Sequence, residues 1–407
     1  MGKSKDEVKT NMIFTREKMY FINFIKEFML NLEKKHIALG LAFAALVGCS
    51  SKSSGGGGGG GAPLMSNEAV SDAVLGSGDN AMTVAELNSA LSSGNRLGNF
   101  NSNVEFTAEM SNDVLTFKFD NKESEDDDRI NVEFKDFTEE GGVLTSTKTS
   151  PTETIHGYCK PDNNDCTEGR NKEEAQNLYA KDELDNDDAT WADLSNEQKS
   201  DFNDWWGTGS DLHQVTVDVT NTTSLRFFGK TLPGLSYSNF GLVQRVQKET
   251  GSFNSESIND SYYFGYGDVS KKEQLASDTT FKGNAFATVS YYIEDDDHEE
   301  YKAQNIKGNA ELRVDGSGNK NLDVALNNYY ILKYTNGNYD TRTGSNGLGA
   351  KFDIGTNNVG GSADYQGYGA VSDNPTEVVG VFNVNHNDPS QDRNVWIDGS
   401  FGALKQP

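Results

Sequence analysis

From about residue 212 onward the chain is a succession of segments in which apolar and polar residues alternate, with no long stretch of helical period between them. Val215, Val217 and Val219 alternate with polar residues, and so do Ala285, Ala287, Val289, Tyr291 and Ile293. Ala310, Leu312 and Val314 lead into Asp315-Gly316-Ser317-Gly318, and Leu322, Val324 and Leu326 follow. Successive side chains of a strand point to opposite faces, so each segment buries one face, and two of them joined by a Gly-rich turn make an antiparallel hairpin. Further strands are expected at 241–246, 262–266, 329–334, 351–354, 378–384 and 395–401. About eight strands without an intervening long helix predict an up-and-down barrel.

The face opposite the apolar set carries Lys282, Asn284, Thr288, Ser290, Glu311, Arg313, Asn321, Asp323 and Asn327. A membrane-spanning barrel turns its apolar face to lipid and keeps a polar lumen. The pattern is read in the opposite sense here, as a small barrel filled by apolar side chains with a wet exterior.

Residues 66–225 are mixed and form a handle-like N-terminal domain, with the barrel assigned to 226–407. Thr83 with Glu86 is a capping-box pattern ahead of Leu87 and Leu91, which predicts a short helix. Ser195 with Gln198 starts another, carrying Phe202, Trp205 and Trp206 at i, i+3 and i+4 before Gly207. A strand is expected at 114–119, and the acidic run 123–128 reads as a solvated loop.

The first 65 residues have a different character. Lys34-Lys35 precede an 11-residue weakly polar or apolar stretch, Ile37 to Val47, that ends in Gly48-Cys49. A positive n-region and a short h-region fit a secretory signal and fall below the roughly 18 residues a spanning helix needs. Leu46-Val47-Gly48-Cys49 resembles the bacterial lipobox, which implies lipidation of Cys49 after a signal peptide over 29–48. Ser50, rather than Asp, after that Cys implies sorting to an outer membrane. Residues 49–65 include seven consecutive glycines, Gly55 to Gly61, a flexible tether with no capacity to pack. Translation is expected to start at Met29, leaving 1–28 as surplus.

Cysteine use agrees with export. With Cys49 taken by lipid, Cys159 and Cys166 flank a polar loop, and an even pair in an oxidising compartment most simply forms one disulfide. A metal site built on this pair with His156 lacks a convincing fourth ligand.

Charge excludes one class of partner. With 36 Lys+Arg against 62 Asp+Glu the formal charge is −26, whereas nucleic-acid binders neutralise phosphates with basic side chains. Residues 1–48 carry 8 Lys+Arg and 5 Asp+Glu, so the remainder stands at −29. Catalytic signals are absent: His156, His213, His298 and His386 have no spaced nucleophile or carboxylate partner that makes a triad. Asp315 to Asp323 has the look of an EF-hand loop, but Lys320 stands where the turn Gly belongs and Leu326 replaces the bidentate Glu, so a hairpin is expected. The acidic stretch Glu294 to Glu300 reads as a solvated tip, and His298 in it lacks the apolar pocket haem needs. No metal, cofactor or enzymatic activity is expected.

A family resemblance enters through several short motifs in order. Leu235-Ser236-Tyr237-Ser238-Asn239-Phe240-Gly241, Tyr262-Tyr263-Phe264-Gly265-Tyr266-Gly267, Phe281-Lys282-Gly283-Asn284-Ala285 and Gly308-Asn309-Ala310-Glu311-Leu312 are the first four. Tyr368-Gly369-Ala370, Glu377-Val378-Val379-Gly380-Val381-Phe382 and the closing Gly399-Ser400-Phe401-Gly402-Ala403-Leu404-Lys405-Gln406 complete the set. Together they resemble the transferrin-binding protein B type β-barrel surface lipoproteins over about 235–406, although Leu404 interposes in the closing run. The resemblance implies an outer-membrane lipoprotein displayed on the cell surface by a dedicated outer-membrane translocator. Relatives capture transferrin, lactoferrin, haemoglobin or haem, or a complement regulator, factor H. The family's namesake has two lobes, each a handle and a barrel, whereas this chain has room for one of each. That favours haemoglobin or haem over transferrin, with transfer to a TonB-dependent receptor. The alternative is binding of a host regulator for immune evasion or colonisation, without nutrient transfer.

The matched motifs carry no binding residue. Partner contacts are instead expected at Tyr158, Phe202, Trp205 and Trp206, because Trp and Tyr dominate protein-binding hot spots; packing between handle and barrel is the other reading of these rings. The negative charge favours a basic face on the partner.

Overall fold

The computed structural model describes residues 62–99, 103–122, 130–159, 166–168, 172–186, 188–206, 213–232, 234–252, 254–294, 299–327, 330–339, 345–346, 359–370, 374–388 and 393–407. Cys49, the glycine run 55–61, the acidic run 123–128, His298 and the strand expected at 351–354 lie outside them. Two helices, α1 (Asn67–Leu75) and α2 (Val84–Leu91), precede strands β1 (Val104–Ser111), β2 (Val114–Asn121), β3 (Asn131–Phe134) and β4 (Val143–Thr149). Next come β5 (Glu153–Cys159), β6 (Cys166–Glu168), α3 (Lys172–Leu184) and α4 (Asn196–Trp206). Then follow β7 (His213–Phe227), β8 (Ser238–Gly251) and β9 (Ser255–Gly267). The last group is β10 (Thr279–Glu294), β11 (Glu299–Val314), β12 (Lys320–Leu326), β13 (Tyr330–Thr335), β14 (Asn338–Tyr339), β15 (Val359–Tyr368), β16 (Glu377–Asp388) and β17 (Arg393–Lys405).

The chain divides into two compact units. The larger comprises Gly60–Ser150, Asn221–Gln247 and Ser257–Pro407, and the smaller, among described residues, Pro151–Thr220 and Lys248–Glu256.

In the larger unit β10 to β17 close into an eight-stranded antiparallel barrel in the order β15-β14-β13-β12-β11-β10-β17-β16, with β16 pairing back onto β15. The expected hairpin at Asp315 forms, and its register places Leu312 opposite Leu322 and Ala310 opposite Val324. Asp315 closes the turn by accepting from the backbone N–H groups of Ser317 and Asn319 at 2.9 and 2.8 Å, a structural use of its carboxylate. Alternation then fills the interior: Phe281, Val289, Leu312, Val324, Leu332, Ile397 and Phe401 are fully buried in one cluster. The outward face carries the row Lys282, Glu311, Asp323 and Lys333, one residue from each of β10 to β13. Charge on that face and a filled interior are the reverse of a lipid-facing barrel.

β8 and β9, which the alternation groups with the barrel, belong to the other sheet, between β7 and the short strand Leu97–Gly98. The sheet of the barrel takes its first strand at Lys272–Glu273, which pairs with β15, so β8 and β9 stand outside it. Period-2 alternation marks a strand but not its sheet, and β8 is not half-buried at all: Ser238 to Gln244 are buried on both faces. One face joins Val243, Phe264, Tyr266 and Phe227 to α1, α2 and the three-stranded sheet of β1, β2 and β3, whose Phe106, Phe117, Phe119 and Phe134 complete an aromatic core. The other face presents Phe240, Leu242 and Tyr263 to the outer wall of the barrel, against Tyr368, Val379, Phe286 and Val381. There the rings of Phe228 and Phe286 stack at 3.9 Å.

Glycines receive aromatic rings both inside the barrel and at this joint. Phe382 stands opposite Gly399 and Phe401 opposite Gly380 on β16 and β17, and a Cβ on Gly399 would lie 2.3 Å from the Phe382 ring. Gly402 takes the ring of Phe240 from β8 in the same way, at 2.5 Å. Each ring covers the gap its glycine leaves, which ties the closing segment of the chain both to its neighbour strand and to the sheet outside.

Candidate functional site

The smaller unit carries the residues expected to meet a partner. α4 starts with the capping box that Ser195 and Gln198 predict: Gln198 N–H donates to Ser195 Oγ at 3.2 Å, and Ser195 N–H to Gln198 Oε1 at 2.9 Å. The helix then places Phe202, 1% exposed, against Ala175, Tyr179 and Trp191. Its ring centroid lies 5.2 Å from Tyr179 and 5.0 Å from Trp191, edge-on to the latter. Phe202 is therefore the centre of a local core, which corrects its placement on a partner-binding face. Spacing at i, i+3, i+4 defines a face but does not say whether solvent or protein covers it. Trp205 and Trp206 occupy the last turn of α4; their side chains lie outside the described structure.

Trp191 was not singled out by spacing. It opens a short 3₁₀ turn, Trp191–Asp193, fastened by Asp193, whose carboxylate accepts from Thr190 N–H at 2.9 Å and Thr190 Oγ1 at 2.8 Å. These bonds hold the exposed Asp193 carboxyl below its usual range. Trp191 N–H donates to Asn177 Oδ1 at 3.0 Å, and Lys199 Nζ lies 6.0 Å from the indole centroid while donating to Leu194 O at 2.7 Å. Thr190-x-x-Asp193 is a capping pattern and was the available signal for this turn. In the same unit, where Trp191 is half-buried, the exposed residues include Glu173, Glu183, Asp193, Glu197, Asp201 and Asp204. Residues 151–220 hold 17 Asp+Glu against 5 Lys+Arg, so this stretch of the chain is strongly acidic.

On β5, Tyr158 stands opposite Thr167 of β6 and Gln214 of β7. Cys159 stands opposite Cys166, and on its other side opposite His213. His156 lies elsewhere, with Nδ1 3.4 Å from Thr216 Oγ1, so register does not bring it into the cysteine row. Among the described residues no cluster of His, Cys, Asp or Glu forms a metal site, and no helix is long and apolar enough to cross a membrane.

No protein-family model matches the chain, and no curated protein matches it. Solved structures give remote likenesses. A transferrin-binding protein B variant from Haemophilus parasuis Hp5 has 10% identity and a TM-score of 0.24 over 76% of this chain and 67% of that one. Intact Ap-TbpB, with N and C lobes, has 11% identity and a TM-score of 0.21 over 76% and 68%. A protein of unknown function from Nostoc punctiforme has 8% identity and a TM-score of 0.18 over 76% and 93%. Similarity at this level decides nothing about fold or function.

Proposed function

We propose that the chain is a non-enzymatic lipoprotein of an outer membrane, facing outward, that captures a host protein for iron or haem acquisition, with haemoglobin or another haem carrier favoured over transferrin. The observation that carries this reading is the order of its parts. Leu46-Val47-Gly48-Cys49 and a run of seven glycines precede a folded body that begins where Leu64 bridges to Thr138. An acyl chain contributes about 0.8 kcal/mol per buried methylene to anchoring, and such a tether reaches roughly 20 Å as a flexible coil. A filled barrel with a charged wall neither conducts nor faces lipid, so the useful part of the body is its outside. The acidic smaller unit suits a basic protein face better than free haem, which needs an apolar pocket.

Display by an outer-membrane translocator and hand-over to a TonB-dependent receptor belong to the same reading, as does a disulfide between Cys159 and Cys166. The test is a pull-down from host serum and erythrocyte lysate with residues 62–407, alongside protease treatment of whole cells. Haemoglobin or a haem carrier in the eluate and loss of the protein from shaved cells are expected. Capture of a complement regulator without any haem carrier moves the function to immune evasion, and complete resistance to external protease moves the protein to the periplasmic side.

A further inference from the structure

Glu377 opens β16 at the barrel rim, in register with Tyr368 of β15 and Leu404 of β17. It is fully buried, and its carboxylate takes the donors of the segment that leads into β8. Ser236 N–H reaches both oxygens, at 3.1 and 3.2 Å; Tyr237 N–H donates to Oε1 at 2.6 Å, and Ser238 Oγ to Oε2 at 3.0 Å. Among the described residues no Lys or Arg forms an ion pair with it. The titratable groups that face it are Tyr368, whose buried hydroxyl has no hydrogen-bond partner among the described residues, and beyond that ring Asp268. Neither supplies positive charge, and Lys405 on β17 turns away to Asn374.

We propose that Glu377 is a proton-operated latch on the segment that joins the barrel rim to β8. In the neutral form Oε1 still accepts both amides, while the acid hydrogen on Oε2 donates to Ser238 Oγ, and no charge is left buried. In the ionised form the charge is left buried with donors but no cation. β8 carries a core on each face, so loosening its lead-in changes how the sheet is held against the barrel. Burial pushes the carboxyl up from 4.5 to about 7, against the pull of its hydrogen bonds. A folded value above the unfolded one means that the latch is fully effective below the unfolded value, weakens as pH rises towards the folded one, and contributes nothing above it. This does not depend on which ligand the protein takes.

Hydrogen exchange at Ser236 and Tyr237 in the full chain, corrected for the intrinsic pH dependence, tests the latch. Protection should fall by up to tenfold per unit between about pH 5 and pH 7 and then level off. Glu377→Gln, which copies the donors and acceptors of the neutral acid, should give a flat profile, while Asp398→Asn should keep the fall. Constant protection across this range in the unmodified chain overturns the proposal, as does an unchanged fall in Glu377→Gln. If that variant fails to fold, carbon-13 titration of the Glu377 carboxyl in the unmodified chain decides: a midpoint at the ordinary carboxylate value overturns the latch, and one shifted clearly upward supports it.

Discussion

Gln244 on β8 and Asn305 on β11 exchange two amide hydrogen bonds where the sheet meets the barrel wall: Gln244 Nε2 donates to Asn305 Oδ1 at 2.9 Å, and Asn305 Nδ2 to Gln244 Oε1 at 2.8 Å. Thr288 Oγ1 adds a bond to Asn305 Oδ1 at 2.9 Å, and Tyr263 Oη lies 3.0 Å from Thr288 Oγ1. A polar cluster surrounded by aromatic packing fixes one register between the two layers. Truncating one amide strands its partner, so Asn305→Ala should cost about 1–3 kcal/mol in denaturant unfolding. Replacing both by Leu should cost less than the sum of the single changes, and simple additivity in that cycle would count against the exchange.

Gly402→Ala tests the interlock between β8 and the closing strand. The added methyl meets the Phe240 ring at 2.5 Å, a conflict expected to cost about 1–3 kcal/mol. Phe240→Leu in the same chain should recover part of that loss, although Phe240→Leu alone destabilises. A double variant no more stable than Gly402→Ala would mean that the ring and the glycine are not coupled.

These contacts show why so much of the fold was legible and so little of the site. Gly399-Ser400-Phe401-Gly402 reads as a motif because each residue is fixed by a neighbour: Gly399 by Phe382, Ser400 by a bond to Gly241 O at 3.2 Å, Phe401 by Gly380 and Gly402 by Phe240. Such joints demand particular residues at particular spacings and leave a sequence trace. The sheet membership of β8 and β9 left none, because a strand buried on both faces differs from a barrel strand only in what covers it. Binding surfaces are less legible again. Phe202 and Trp205 share a helical face in the sequence, yet the 3₁₀ turn that covers Phe202 comes from Trp191, eleven residues earlier. No local period records that contact.

Phe202→Ala removes the centre of this small core and should destabilise the smaller unit by about 3–5 kcal/mol. Its Tm should fall while the hydrogen exchange of β10 and β17 in the barrel is unchanged. Trp205→Ala and Trp206→Ala are read in the pull-down instead, where reduced capture is expected. Capture that survives both changes places the contact elsewhere.

Cys159 stands in register with Cys166 across a pair of strands, and a disulfide between them is part of the proposed reading. Closing a loop of this size disfavours the unfolded chain by about 2.5 kcal/mol on the chain-entropy account. Protein from the exported fraction should gain about 2 Da on reduction and lose stability to a similar extent as Cys159→Ser/Cys166→Ser. Two free thiols in exported protein, alkylated without prior reduction, would exclude the bridge.

Asp398 supplies a second pH dependence, independent of Glu377. It lies on the outward face of β17, in register with Thr288 and Asn383, and burial pushes its carboxyl up from 3.8 to about 6. The folded value exceeds the unfolded one, so folding takes up a proton between them. The stabilising contribution is whole below the lower value, declines as pH rises through the interval and is absent above the higher. Asp398→Asn removes this dependence while keeping the size of the side chain. The stability difference between variant and unmodified chain should therefore grow from acid to neutral pH, by at most about 1.4 kcal/mol per unit. Because the chain carries a charge of −26, self-repulsion also lowers stability towards neutral pH, and only the difference between the two profiles reports on Asp398. Parallel profiles from thermal unfolding at pH 4, 5, 6 and 7 would show that water reaches this carboxylate and that its burial costs nothing.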